Sequence, residues 1–129
     1  MKKKYLIVIA NYYKDISRGL IKSAKDILPK SSLIKIINVP GVFEIPVTIS
    51  KNIKKYDAFL ALGCVIKGQT PHFDFISHVS TDAIMRISLE HKKPIGNGII
   101  TCLNMKQAII RKKKGREAAQ AVISVLSQE

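Results

Sequence analysis

The run Gly63-Cys64-Val65-Ile66-Lys67-Gly68-Gln69-Thr70-Pro71-His72-Phe73-Asp74 holds the densest set of side chains suited to chemistry. A glycine-bearing loop here enters a helix start, where free backbone N–H groups and the helix dipole attract anions. Thr70 adds a hydroxyl and Lys67 a nearby positive charge. His72 falls in the first turn beside that anion site, and an imidazole titrating near pH 6.5 can move protons at neutral pH. His78 and His91 have no such surroundings and read as surface or packing residues.

Three other segments carry reactive or recognising side chains. Tyr12 and Tyr13 offer aromatic rings that could stack on a flat heterocycle or simply sit half-exposed in a loop. In Val39-Pro40-Gly41-Val42-Phe43-Glu44-Ile45-Pro46, Gly41 permits a tight turn or a close backbone approach. Glu44 suits either a helix dipole or a ligand. Arg111 opens a basic cluster with Lys112, Lys113, Lys114 and Arg116. That cluster is either a solvated helix end or, through Arg111, a bidentate phosphate partner. Cys64 and Cys102 each follow an apolar run without clustered metal ligands, so both read as small core residues. A phosphate-binding GxxxxGK[ST] loop and a GxSxG elbow are absent, and Gly96-Asn97-Gly98 lies in the wrong context for a dinucleotide fingerprint.

The elements that must position these residues alternate. Tyr5 to Ala10 is a continuous apolar run, as expected of a parallel strand buried on both faces. Ile16, Leu20, Ala24, Ile27 and Leu28 recur at helical spacing until Pro29. Leu33 to Ile37 reads as a second strand. Pro46 falls in the first turn of a helix running through Ile49 and Ile53. Ala58 to Val65 is a third strand. Thr70, as capping hydroxyl, and Pro71, as first helical residue, open a long helix reaching about residue 90. Ile95 to Cys102 is a fourth strand, and the tail from Asn104 is helical. The β-α-β-α-β-α-β-α order predicts one α/β domain over residues 1–129, with a four-stranded parallel sheet between helices. Ligands of such sheets bind at the carboxyl ends of the strands, where the four segments above converge.

A length of 129 residues suits one compact domain, and 47% hydrophobic residues suffice for its core. No apolar run approaches the ~20 residues that span a bilayer. The basic Met1-Lys2-Lys3-Lys4 start precedes only a short apolar run with no small-residue cleavage site, so it reads as the first strand of a cytoplasmic protein. The net charge is +13, from 22 basic and 9 acidic residues. Its lysines are dispersed along the chain, as on solvated faces.

The motifs Pro40 to Pro46 and Gly63 to Asp74, followed by Asn97-Gly98-Ile99-Ile100-Thr101 and Asn104 to Arg111, together resemble the lumazine synthase (6,7-dimethyl-8-ribityllumazine synthase) family across nearly the whole chain. The resemblance implies a flavodoxin-like three-layer αβα sandwich and an enzyme of riboflavin biosynthesis. The implied reaction condenses 5-amino-6-(D-ribitylamino)uracil with 3,4-dihydroxy-2-butanone 4-phosphate, with no metal or organic cofactor. By position, Tyr12 matches the stacking aromatic, and Val42, Phe43 and Glu44 match the segment that holds the ribityl chain. Cys64, Val65 and Ile66 match backbone contacts to the pyrimidine, and Asn97 matches an aminouracil contact supplied by a neighbouring subunit. Gln69 and Thr70 match the phosphate loop, Arg111 the phosphate arginine, and His72 the proton donor. The implied assembly is a homopentamer with its sites between subunits.

The chain departs from the family pattern at three places. Lys67 stands where arginine is common, and Asn11 where arginine often precedes the aromatic. Only Lys112-Lys113 separate Arg111 from Lys114-Gly115, where a longer glycine- and lysine-containing turn is usual, so the last two helices are expected to be fused or re-aimed. Other readings make different demands. An archaeal-type riboflavin synthase would use two lumazine molecules and need no phosphate pocket, against Thr70 and Arg111. A non-catalytic flavin- or lumazine-binding module would bind ligand and form no product. A basic nucleic-acid-binding domain has charge in its favour but no motif. The expected partners are therefore small-molecule substrates and further copies of the chain, without nucleic acid or membrane.

Overall fold

In the computed structural model, which describes residues 2–128, four parallel strands and their connecting helices form three layers. The strands are β1 (Lys4–Ala10), β2 (Leu33–Val39), β3 (Ala58–Ile66) and β4 (Ile95–Cys102). The helices are α1 (Lys14–Ile27), α2 (Ile45–Lys51), α3 (His72–His91), α4 (Met105–Arg111) and α5 (Gly115–Leu126), with a 3-10 turn at Val42–Glu44. The sheet order is β2-β1-β3-β4.

Burial follows position in that order. The central strands β1 and β3 are covered on both faces, which accounts for their unbroken apolar sequences. The edge strands β2 and β4 alternate between covered and open positions, and Asn97 and Thr101 are on the open side of β4. On one face Ile7, Ile9, Leu60 and Leu62 pack with Ile16, Leu20 and Ala24 of α1, Ala108 of α4 and Ala118 and Val122 of α5. On the other face Leu6, Val8, Phe59 and Ala61 pack with Ile45 and Ile49 of α2 and Ile84 of α3.

The chain moves one way from β1 to β2 with α1 on the first face. It moves the other way from β2 to β3 and from β3 to β4, with α2 and α3 on the second. This is the flavodoxin-like winding, and its reversal leaves a crevice between the carboxyl ends of β1 and β3.

Several boundaries differ from the sequence expectation for local reasons. β2 continues through Val39, because pairing with β1 runs on to Ala10 opposite Val39. α2 stops at Lys51, where the Asn52 side chain donates to Thr48 O at 2.8 Å, so Ile53 packs from a turn rather than from the helix. α3 starts at His72 with Pro71 as its capping residue. Thr70 still serves the start, since its hydroxyl oxygen accepts from His72 N–H at 3.4 Å. The tail holds two helices that are not fused. Residues 112–114 turn the chain, and Gly115 sets α5 against α1, where a Cβ would run into the Leu20 carbonyl.

Candidate active site

A cleft of about 650 Å3 opens at the reversal point, over the carboxyl ends of β1 and β3. It is lined by Tyr12 and Tyr13 from the loop after β1, by Gly41 to Glu44, by Cys64 to Ile66 at the end of β3, and by His72 and Ile76 of α3. Each wall has a physical origin. Ser17, buried in α1, donates its hydroxyl to Ala10 O at 3.1 Å and Tyr13 O at 3.0 Å, which pins the loop that carries both tyrosines. The two rings meet edge to face with centroids 4.8 Å apart. Tyr12 is 73% exposed, so its ring is free to stack on a ligand rather than committed to the core.

Val42 is buried beneath the cleft while Phe43 and Glu44 stand at its mouth. Glu44 occupies the capping position of α2 but makes no side-chain cap bond. Its carboxylate folds back over Gly41, where Oε1 would lie 3.3 Å from an added Cβ. Of its two sequence readings, the ligand-facing one fits this placement.

The floor is unusual for a central strand. Pairing of β3 with β1 ends at Leu62 opposite Ile9, whereas pairing with β4 continues to Ile66 opposite Cys102. From Cys64 to Ile66 the β1-facing edge of β3 therefore has no strand beside it. Backbone N–H and C=O groups on such an edge can pair with the donors and acceptors of a planar amide-like heterocycle, as another strand would.

The Cys64 side chain contributes no nucleophile to this floor. Burial, together with the adjacent Cys102 thiol, pushes its thiol up to about 12, so it stays protonated at neutral pH. A group whose value is raised on folding stabilises fully below its unfolded value, near 9, and loses that contribution as pH climbs toward 12. Melting temperature is expected to fall across this alkaline window more steeply in the wild type than in Cys64→Ala. A residual slope would remain from Tyr5 and Tyr13, whose phenols burial also raises. Equal slopes in both proteins would show that the thiol does not carry the effect.

The remaining expected residues are elsewhere. Gln69 and Thr70 are exposed on the loop between β3 and α3 and do not line the cleft. Asn97 is midway along edge strand β4, opposite Ala61, with its Oδ1 accepting from Ile99 N–H at 3.0 Å. It shares a second cleft of about 360 Å3 with Arg111, Lys114 and Glu117. There the Arg111 guanidinium donates to Thr101 O at 3.1 Å, and Lys114 pairs with Glu117 at 3.1 Å. The two clefts have no residue in common. A single chain thus presents two separate clefts, one walled by aromatic rings and a strand end and the other by Arg111, Lys114 and Glu117. Ile76 in the first, and Lys114 and Glu117 in the second, were not singled out as ligand-facing from sequence. Lys114 alone had a signal there, as the basic residue before the Gly115 turn. Among the described residues no cluster of three His, Cys, Asp or Glu side chains could hold a metal ion.

The winding and the cleft at its reversal define an α/β protein with a ligand-sized cleft at the carboxyl edge of a parallel sheet. More particularly, the chain belongs to the 6,7-dimethyl-8-ribityllumazine synthase family, whose model matches residues 2–129. It is 40% identical to the 6,7-dimethyl-8-ribityllumazine synthase of Bartonella bacilliformis over 95% of this chain and 87% of that protein. The enzyme of the same name from Buchnera aphidicola is 41% identical over 97% of this chain and 84% of its own length. The one from Agrobacterium fabrum is 37% identical over 98% and 95%.

Proposed function

We propose that this protein condenses 5-amino-6-(D-ribitylamino)uracil with 3,4-dihydroxy-2-butanone 4-phosphate to form 6,7-dimethyl-8-ribityllumazine, within riboflavin biosynthesis. The observation that carries the reading is the cleft itself, which joins an exposed aromatic ring, an unpaired strand edge and a histidine at the switch point. Tyr12 stacks on the pyrimidine, and the backbone of Cys64, Val65 and Ile66 pairs with its amide edge. Val42, Phe43 and Glu44 hold the ribityl chain.

The aminouracil amine attacks the ketone and loses water to give an imine. Phosphate is then eliminated, and the ribitylamino nitrogen closes the ring with loss of a second water. His72 relays protons at these steps. Arg111, with Gln69 and Thr70, holds the phosphate group. Much of the acceleration comes from holding two reactants together.

Asn97 and Arg111 serve the cleft of a neighbouring copy, which is why one chain separates the two half-sites. The protein acts as a homopentamer in the cytoplasm, each chain a single domain over residues 1–129. The large apolar side chains left open on the α2–α3 layer, Val47, Phe75, Val79 and Leu89 among them, support such an assembly. Among the described residues no helix is long and apolar enough to cross a membrane.

The test is an absorbance assay with both substrates that follows lumazine and released phosphate. Their appearance in equal amounts is the expected result, and ligand binding without product would reduce the protein to a binding module. His72→Ala is expected to lower turnover by about tenfold, at the modest end for proton transfer because positioning survives. Its pH–rate profile should also differ in shape from that of the wild type. An unchanged profile would take His72 out of the proton relay.

A further inference from the structure

Beyond the short basic run that ends at Arg116 the positive charges are dispersed along the chain, yet the fold gathers a set of them around one groove that shares no lining residue with either half-site. This groove, of about 540 Å3, runs between α1 and the turn that joins α4 to α5. Arg18 and Lys22 enter it from α1, one helical turn apart, and Lys112, Lys113 and Arg116 enter from the other side. Lys25 continues the row along α1 in an adjoining hollow.

The groove is built by close packing rather than by chance proximity of long side chains. A Cβ at Gly19 would fall 2.8 Å from the Lys112 side chain, so the missing side chain lets Lys112 lie across α1. Its ammonium is then held by Asp15 at 3.2 Å. The shortened turn after Arg111 and the Gly115 contact with α1 bring the turn cations to this position.

The charge balance is lopsided. Asp15 and Asp26 are the only carboxylates lining the groove among the described residues, and they pair with Lys112 and Lys22. Arg18, Lys113 and Arg116 make no ion pair among the described residues. Three uncompensated cations on one concave surface, in a molecule of net charge +13, make a strong local attraction for phosphates. Among the described residues no aromatic side chain lines the groove, so it offers no aromatic platform for a base.

We propose that this α1–α5 groove binds the phosphate backbone of nucleic acid, without regard to sequence and independently of the lumazine chemistry. Phosphate contacts from arginine and lysine position a strand, whereas sequence is read by base-edge contacts that this surface does not offer. The α2–α3 apolar face is on the opposite side of the sheet from this groove.

The test compares three full-length proteins. The first is wild type. The second carries Arg18→Gln, Lys22→Gln, Lys113→Gln and Arg116→Gln, with the packed Lys112 left in place. The third carries the same number of neutralised exposed lysines away from the groove, Lys30→Gln, Lys51→Gln, Lys54→Gln and Lys55→Gln. Binding of a fluorescent single strand of roughly 20 nucleotides is followed by anisotropy over a range of salt. The groove variant is expected to bind about tenfold or more weakly at ~0.1 M salt and to show a shallower salt slope, while the control stays within about threefold of wild type. Inorganic tripolyphosphate serves as competitor, and the expected result is that it displaces the strand only weakly. Equal weakening in both variants would overturn the groove in favour of diffuse surface charge. No binding to wild type would overturn the proposal outright, and tight tripolyphosphate binding at the groove would replace nucleic acid with a small phosphate ligand. Circular dichroism of all three proteins confirms that a lost signal is not a lost fold.

Discussion

Replacing Arg111 with alanine should raise the Michaelis constant for the sugar phosphate by about 30- to 100-fold and leave that for the aminouracil nearly unchanged. A guanidinium bound to a phosphate through two charge-assisted hydrogen bonds contributes about 2–3 kcal/mol, and each 1.4 kcal/mol is a factor of about ten. The structure supports assigning this role to Arg111 over its lysine neighbours. Its side chain is oriented by the bond to Thr101 O, whereas Lys114 is engaged by Glu117 and Lys112 by Asp15. Arg111→Lys keeps the charge but loses the planar fork, so it should recover only part of the lost affinity. Steady-state kinetics with each substrate varied in turn separates the outcomes. An effect confined to the aminouracil would place the phosphate elsewhere.

What the sequence made legible, and what it left hidden, follows from the range of the forces involved. β1 and β3 are buried on both faces, so their apolar runs are unbroken and the parallel alternation is visible in one dimension. Tyr12, Phe43, Glu44 and His72 could be named because each falls just beyond a strand or at a helix start, and the winding rule brings those ends together. Helix starts were recovered to within a residue or so, as at Pro71 and His72. The extra length of β2 was not legible, because pairing and not composition decides where a strand stops. The open edge of β3 past Leu62 was hidden for the same reason.

The separation of Asn97 from the first cleft was expected only through the family resemblance, and that of Arg111 was not foreseen, since no local pattern says which strand forms the sheet edge. The basic groove was legible only in the basic run that ends at Arg116. Arg18 and Lys112 become neighbours only because Gly19 and Gly115 let α1 and α5 approach. The apolar side of α3 gave a partial signal. Phe75, Val79 and Leu89 recur at helical spacing and mark the helix correctly, yet they are 63%, 52% and 69% exposed. Periodicity identifies an apolar face without saying what covers it.

That face supplies the second large effect. Phe75→Glu with Val79→Glu should yield a folded monomer whose activity is lower by about a hundredfold or more, although every residue of both half-sites is intact. Two carboxylates placed in an apolar contact carry a desolvation cost that no partner offsets. In the isolated chain the same positions face water, so the monomer fold should survive. Sedimentation and circular dichroism establish the first two points and the lumazine assay the third. A monomer with full activity would show that one chain suffices, and an intact oligomer would place the contact on another face. The half-site division makes a sharper demand on mixed assemblies. A chain disabled in the first cleft by Tyr12→Ala and His72→Ala, and one disabled in the second by Arg111→Ala, should each be nearly inactive alone. Unfolded together and refolded, they should regain activity, because about one contact in four then joins two intact halves. Activity that stays at the level of the separate variants would mean that each chain completes its own site.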